Sequence, residues 1–168
     1  VFDAANVIKH NNELLYLVSN TGNKAGAIWL QEFCDSQPWG DYRVHTAENV
    51  YAYIHIDTTF VFLREDTVLI NPHRVSWRNL PEFLSRMNII WAPEPYPTQV
   101  LEEWCSASPW LGMNILPIND KQVMVEENQI LLMTELKKHN FEPIPVRMRH
   151  ARTFSGGPHC VTLDVRRG

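Results

Sequence analysis

Short apolar runs alternate with polar punctuation along this chain. The segment ELLYLVS over 13–19 predicts a strand, the amphipathic stretch over 25–34 a helix, and 42–46 a second strand. Further on, 58–64 and 67–71 predict a hairpin about a Glu65-Asp66 turn, followed by a short helix over 80–86 and a strand over 88–92. The succession then returns: strands over 113–118 and 122–125 about Asn119-Asp120-Lys121, a helix over 127–139 and a strand over 141–146. The proline-rich Ala92-Pro93-Glu94-Pro95-Tyr96-Pro97 reads as a loop between units, because periodic segments continue on both sides of it.

Equivalent strand positions Leu14, Thr67 and Gln122 are 67 − 14 = 53 and 122 − 67 = 55 residues apart. Such a period belongs to propeller-like or solenoid architectures, with each unit reading ββαβ. A strand over 159–165 is expected to open a further unit. The competing reading is ordinary α/β alternation with a coincidental spacing. Three chemistry-bearing residues recur with the units: Asp3 ahead of the first, His55 ahead of the second, and Cys160 at the opening of the last, with 55 − 3 = 52 and 160 − 55 = 105. If the units surround a pseudo-rotational axis, equivalent positions converge on it, so the spacing predicts an acid, a base and a nucleophile in one pocket.

Composition narrows the class. At 168 residues with 45% hydrophobic and 11% aromatic content, the chain suits one packed domain over 1–168, of three units plus an opening strand. Fifteen basic against 19 acidic residues give a net charge of −4, interspersed, so no basic field gathers nucleic-acid phosphates. No apolar run approaches the roughly 20 residues that span a bilayer. Three cysteines cannot all pair and are too scattered for a disulfide framework, which favours a reducing, cytoplasmic setting. Because the sequence lacks an initiator methionine and ends mid-pattern at Val165-Arg166-Arg167-Gly168, a fragment is expected.

In Gly156-Gly157-Pro158-His159-Cys160 the glycines permit a close backbone path, and Cys160 would start an alternating strand, its thiol at the strand's mouth. A free thiol needs a neighbouring cation or base to raise its thiolate fraction before it can attack. The bland alternative is a core cysteine. In Ile54-His55-Ile56-Asp57-Thr58-Thr59-Phe60, strand alternation predicts His55 and Asp57 on one face and the isoleucines on the other. An imidazole beside a carboxylate suits guanidino chemistry, in which a leaving amine is protonated and a planar cation held; a solvated polar strand edge is the alternative. Asp3, among small neighbours, fits a carboxylate that orients an imidazole, or a simple cap. Cys105, Cys160, His55 and His159 show no metal-ligand spacing, and neither GxGxxG nor GxxxxGK[ST] occurs.

Taken together, Phe2-Asp3-Ala4-Ala5-Asn6-Val7, His55-Ile56-Asp57-Thr58-Thr59-Phe60, Asn71-Pro72-His73-Arg74 and Gly156-Gly157-Pro158-His159-Cys160 through Leu163-Asp164-Val165-Arg166-Arg167-Gly168 resemble the arginine:glycine and inosamine-phosphate amidinotransferases. That resemblance implies the α/β fold of the pentein superfamily, a propeller of ββαβ units around a pseudo-five-fold axis, of which this chain would be the C-terminal part. It implies Cys160 as nucleophile, His55 as general acid/base, Asp3 as its orienting partner, Asp57 as a guanidinium clamp and Arg74 as the partner of a substrate carboxylate. Ser108, in the loop from Trp104 to Trp110, would touch the substrate, with Ser106 competing because the loop is one residue longer than the family pattern. Pro158 stands where many members have an aromatic. The implied partners are L-arginine and a small-molecule amine, with no cofactor, and a homodimer is open to the full-length protein. The location is cytoplasmic, or mitochondrial where a transit peptide precedes Val1. An arginine deiminase-like hydrolase and an inactive structural remnant are the alternatives.

Overall fold

The computed structural model describes residues 1–96 and 107–163. Among these residues three three-stranded sheets form, each built in chain order, giving a mixed α/β architecture. Two compact units divide the chain, Val1–Ile90 and Trp91–Gly168.

The first sheet is β1 (Val7–His10), β2 (Glu13–Leu17) and β3 (Arg43–Ala47). β1 runs antiparallel to β2, with Val7 opposite Tyr16 and His10 opposite Glu13. Asn11 closes the hairpin at φ 52°, the left-handed region that asparagine tolerates in tight turns. β2 then pairs in parallel with β3, from Glu13 opposite Arg43 to Leu17 opposite Ala47. Parallel neighbours need a crossover, which helix α1 (Lys24–Asp35) supplies. Asn23 starts that helix by accepting the Gly26 N–H at 3.0 Å.

β4 (Phe60–Arg64), β5 (Thr67–Ile70) and β6 (Asn88–Trp91) form the second sheet, with a 3-10 helix over Glu82–Arg86 before β6. The third consists of β7 (Leu116–Pro117), β8 (Gln122–Glu126) and β9 (Glu142–Val146), with α2 (Ile130–Lys138) as its crossover. Asn140 at φ 63° ends α2, where the Phe141 N–H reaches back to the Leu136 carbonyl at 3.0 Å. A single turn, α3 (Ala151–Phe154), follows. The middle strand of each sheet carries the core: Leu14 through Leu17 and Thr67 through Ile70 are buried without a break, and in β8 Val123 and Val125 are buried in alternation. Strands covered on both faces read as continuous apolar runs, which is why 13–19 and 67–71 are conspicuous in the sequence.

Several expectations are corrected. β1 was not anticipated, and it completes the ββαβ order of the first repeat. The helix expected over 80–86 is a 3-10 turn, and the one expected over 127–139 begins only at Ile130, because Glu127 and Asn128 form the turn that joins β8 to the helix. The segment 54–59 is a bend and turn rather than strand, so Ile54 is 48% exposed and Ile56 1%, not on a shared face. Residues 159–161 form a turn, so Cys160 is not on a strand; 164 and 165 lie outside the described residues, as do Trp104, Cys105 and Ser106. No helix among the described residues is long and apolar enough to cross a membrane.

Replacing Leu15, fully buried on β2, with alanine is expected to lower unfolding free energy by about 2–5 kcal/mol in urea titration. Ile130→Ala at a position 57% exposed should stay within about 0.5 kcal/mol.

Candidate functional site

In the first unit, a single turn of 3-10 helix over Ala4–Asn6 follows Asp3, whose Oδ1 accepts the Ala5 N–H at 3.0 Å as a cap. The other carboxylate oxygen, Oδ2, lies 3.8 Å from Nε2 of His55. One carboxylate thus both caps the turn and lies beside the imidazole. His55 sits at φ 60°, a conformation uncommon for a residue with a side chain and one that concentrates at functional sites. Two hydrogen bonds from the 4–6 turn hold it there: Asn6 Oδ1 accepts the His55 N–H at 2.9 Å, and the Ala5 carbonyl accepts the Ile56 N–H at 3.1 Å. Asn6 is fully buried, and its Nδ2 donates to Ser19 Oγ at 3.2 Å and Thr21 Oγ1 at 2.9 Å. The imidazole itself is 42% exposed.

Past β5, Asn71 and Arg74 fasten the turn after His55. The Asn71 amide donates to the Thr58 carbonyl at 3.0 Å, and Arg74 Nη1 donates to Thr58 O, Thr58 Oγ1 and Thr59 Oγ1 at 3.1, 2.8 and 2.8 Å. The guanidinium lies over the Tyr51 ring, 3.5 Å from its centroid. Burial pushes the Arg74 guanidinium below its ordinary value, while Tyr51 and then Asp57 pull it back up; an arginine stays charged regardless. Asp57 and Arg74 are therefore electrostatic neighbours. Tyr51 also lines a cavity of about 750 Å³, along with Ser19, Asn20, Lys24, Glu48 and Ala52; Lys24 and Glu48 of that lining pair with each other at 2.7 Å.

In the second unit the chain doubles back at Gly156-Gly157-Pro158, and an asparagine holds the result. Asn114 is 1% exposed; its Oδ1 accepts the N–H groups of Gly157 and Cys160, both at 3.1 Å, and its Nδ2 donates to Cys160 Sγ at 3.1 Å. Gly157 is required by close approach, since an added Cβ would meet the Asn114 carbonyl oxygen at 2.7 Å. Cys160 is exposed, whereas Cys34 is buried in α1, where burial and then Asp35 push its thiol up. Ser108 Oγ caps the 3-10 turn Pro109–Met113 by accepting the Trp110 N–H at 3.1 Å, and its carbonyl accepts from Arg152 Nη1 at 3.2 Å.

Thus Asp3 and His55 come together, as do Asp57 and Arg74, within the first unit; Cys160 and Ser108 are each placed within the second. Asn6 and Asn114 were missed by sequence reasoning, although a signal existed: an amide inside the apolar run Met113-Asn114-Ile115 must find partners on burial. Among the described residues no group of three or more His, Cys, Asp or Glu side chains gathers as a metal site.

Asn6→Leu is expected to cost about 1–3 kcal/mol in chemical denaturation, because the hydroxyls of Ser19 and Thr21 and the His55 N–H lose their buried partner. Glu126 offers a pH test. Burial pushes its carboxyl above the ordinary 4.5, Arg152 and the side chains of Gln129 and Asn128 pull it down, and Glu127 pushes it up. The folded state therefore holds this proton more tightly than the unfolded one, and stability falls as pH rises from about 4.5 through the folded value. Glu126→Gln should flatten that decline in melting temperature against pH.

No family model matches the chain. Over 99% of its length it is 42% identical to inosamine-phosphate amidinotransferase 1 of Streptomyces glaucescens, covering 47% of that protein. It is 34% identical to the L-arginine:L-lysine amidinotransferase of Pseudomonas savastanoi pv. phaseolicola, again over 99% of the chain and over 44% of the relative. The solved inosamine-phosphate amidinotransferase of Streptomyces griseus superposes with a TM-score of 0.92 at 42% identity, over 99% of this chain and 47% of that one. The chain spans about half the length of the curated relatives it matches.

Proposed function

Because the chain is a homologue of the amidinotransferases along 99% of its length, we propose that it is the C-terminal, residue-bearing part of an enzyme moving the amidino group of L-arginine to an acceptor amine. In this reading 1–168 acts as one catalytic domain, and its ββαβ repeats are consecutive blades of a pentein propeller. The observation that carries it is the imidazole of His55 with the Asp3 carboxylate 3.8 Å from Nε2, on a backbone fixed at φ 60°. Such a pair is what proton transfer at a leaving and an entering amine requires.

Cys160 thiolate adds to the guanidinium carbon of arginine. The bond from that carbon to the substrate's side-chain nitrogen then breaks, His55 gives the departing amine its proton, and ornithine leaves an amidino group on sulfur. The acceptor amine attacks the same carbon, His55 takes its proton, and the C–S bond breaks to restore the thiolate. Asp57 holds the guanidinium, Arg74 the substrate carboxylate, and Ser108 contacts the substrate. Two features bear on Arg74 and Ser108. Arg74 is already hydrogen-bonded to the turn at Thr58, so its substrate contact would come from a side chain rigidly held. The Ser108 Oγ accepts the Trp110 N–H as a helical cap, which fixes where that side chain stands. Ala52, which lines the cavity, and Ile54, both just before His55, shape the acceptor's pocket in this reading. Neither metal nor organic cofactor enters the scheme.

Incubating the protein with arginine should leave an amidino mass increment on the peptide carrying Cys160 and release ornithine; Cys160→Ser should abolish both. Citrulline and ammonia in place of ornithine would establish hydrolysis instead, and turnover without any trapped adduct would defeat the covalent scheme.

A further inference from the structure

Both residues assigned to the reaction's centre owe their backbone position to a buried asparagine just ahead of the first strand of a repeat. Asn6 precedes β1 and Asn114 precedes β7, 114 − 6 = 108 residues apart, or twice the repeat period. Each side-chain carbonyl accepts the backbone N–H of a residue almost one repeat later: His55, 49 positions past Asn6, and Cys160, 46 positions past Asn114. The two amides differ in what their Nδ2 groups do. That of Asn6 is spent on the hydroxyls of Ser19 and Thr21, whereas that of Asn114 donates to Cys160 Sγ at 3.1 Å.

We propose that Asn114 is a positioning residue for the nucleophile, its Oδ1 fixing the turn at Gly157 and Cys160 while its Nδ2 donates a hydrogen bond that supports the charged sulfur. The proposal rests on Cys160 as the attacking atom. A hydrogen bond given to the charged form of an acid favours that form, and a donor that is itself buried and doubly anchored needs no reorganisation when charge appears. Asn114 meets both conditions: it is 1% exposed, and the N–H groups of Gly157 and Cys160 lock its carbonyl end. The arrangement also orients the thiol, since Gly156 packs so closely that an added Cβ would lie 3.1 Å from Cys160 Cβ. Sulfur is thereby confined between a small residue and an amide donor while the residue as a whole stays exposed.

Iodoacetamide labelling without substrate, read on the Cys160 peptide by mass mapping, reports this sulfur's reactivity alone. Asn114→Asp retains Oδ1 for the two backbone donors and removes the N–H facing sulfur; Gly157→Ala adds no charge but displaces Asn114, its Cβ falling 2.8 Å from Asn114 Cβ. Both variants should label about tenfold or more slowly at pH 7, by the loss of a hydrogen bond to the charged form. In turnover kcat should fall in parallel, with KM for arginine within about twofold. An unchanged rate in variants that melt like the parent, or slowing confined to the charged Asn114→Asp, overturns the proposal. If Asn114→Asp does not melt cooperatively, Gly157→Ala decides alone. Should the parent transfer no amidino group yet show the same labelling contrast, the reading of function fails and the assignment of Asn114 stands.

Discussion

A side-chain amide removed from water carries two donors and an acceptor that must be matched inside the protein, and a group left unmatched costs about 1–3 kcal/mol. Around Asn6 and Asn114 that requirement organises the candidate site residues. Asn6 ties the turn that bears Asp3 to the bend that bears His55, through the Ser19 and Thr21 hydroxyls and the His55 N–H. Asn114 ties the start of β7 to the turn that bears Cys160. In both cases the interaction that satisfies a buried polar group is also the one that sets where a candidate side chain, His55 or Cys160, stands. Stability and placement are therefore not separable at these positions.

The sheets provide what the turns hang on. The middle strands β2 and β5 are covered on both faces and β8 on one, and the hydrophobic burial of Leu15, Leu69 and Val123 resists shifts in register that would move every flanking turn. Ring contacts join the first sheet to its neighbours: His10 stacks on Phe62 of β4 with centroids 4.2 Å apart, and His45 on Phe83 of the 3-10 helix at 4.3 Å. The candidate residues Asp3, His55, Asp57, Arg74, Ser108 and Cys160 all lie outside the strands. This division between a packed scaffold and chemistry in its connections is common where loops must be both variable and well aimed.

How much of this could be read beforehand depends on the physical origin of each feature. The central strands were legible because full burial writes an unbroken apolar run. The crossover helix α1 was legible as well, since its amphipathic stretch starts at a capping asparagine. β1, only four residues of mixed character in Val7-Ile8-Lys9-His10, is held by pairing with β2 rather than by its own pattern, and so escaped notice. His55 and Asp57 were placed together on a mistaken local picture. Alternation over 54–57 looks like strand, but hydrogen bonds from Ala5 and Asn6, some 50 residues away, impose a bend. Long-range contacts of that kind leave no trace in a short window of sequence. The partners of Asn114 were hidden for the same reason, although an amide inside Met113-Asn114-Ile115 signals that partners must exist.

The left-handed backbone at His55 has a consequence for what could ever replace it. Branching at Cβ is strongly disfavoured there, so valine, isoleucine and threonine are shut out on steric grounds before chemistry is considered, while glycine, asparagine and aspartate fit the bend. Of those tolerated, only aspartate brings an ionisable group, and it would face the Asp3 carboxylate as a like charge. Drift at this position therefore has few outlets, and nearly all of them are chemically silent.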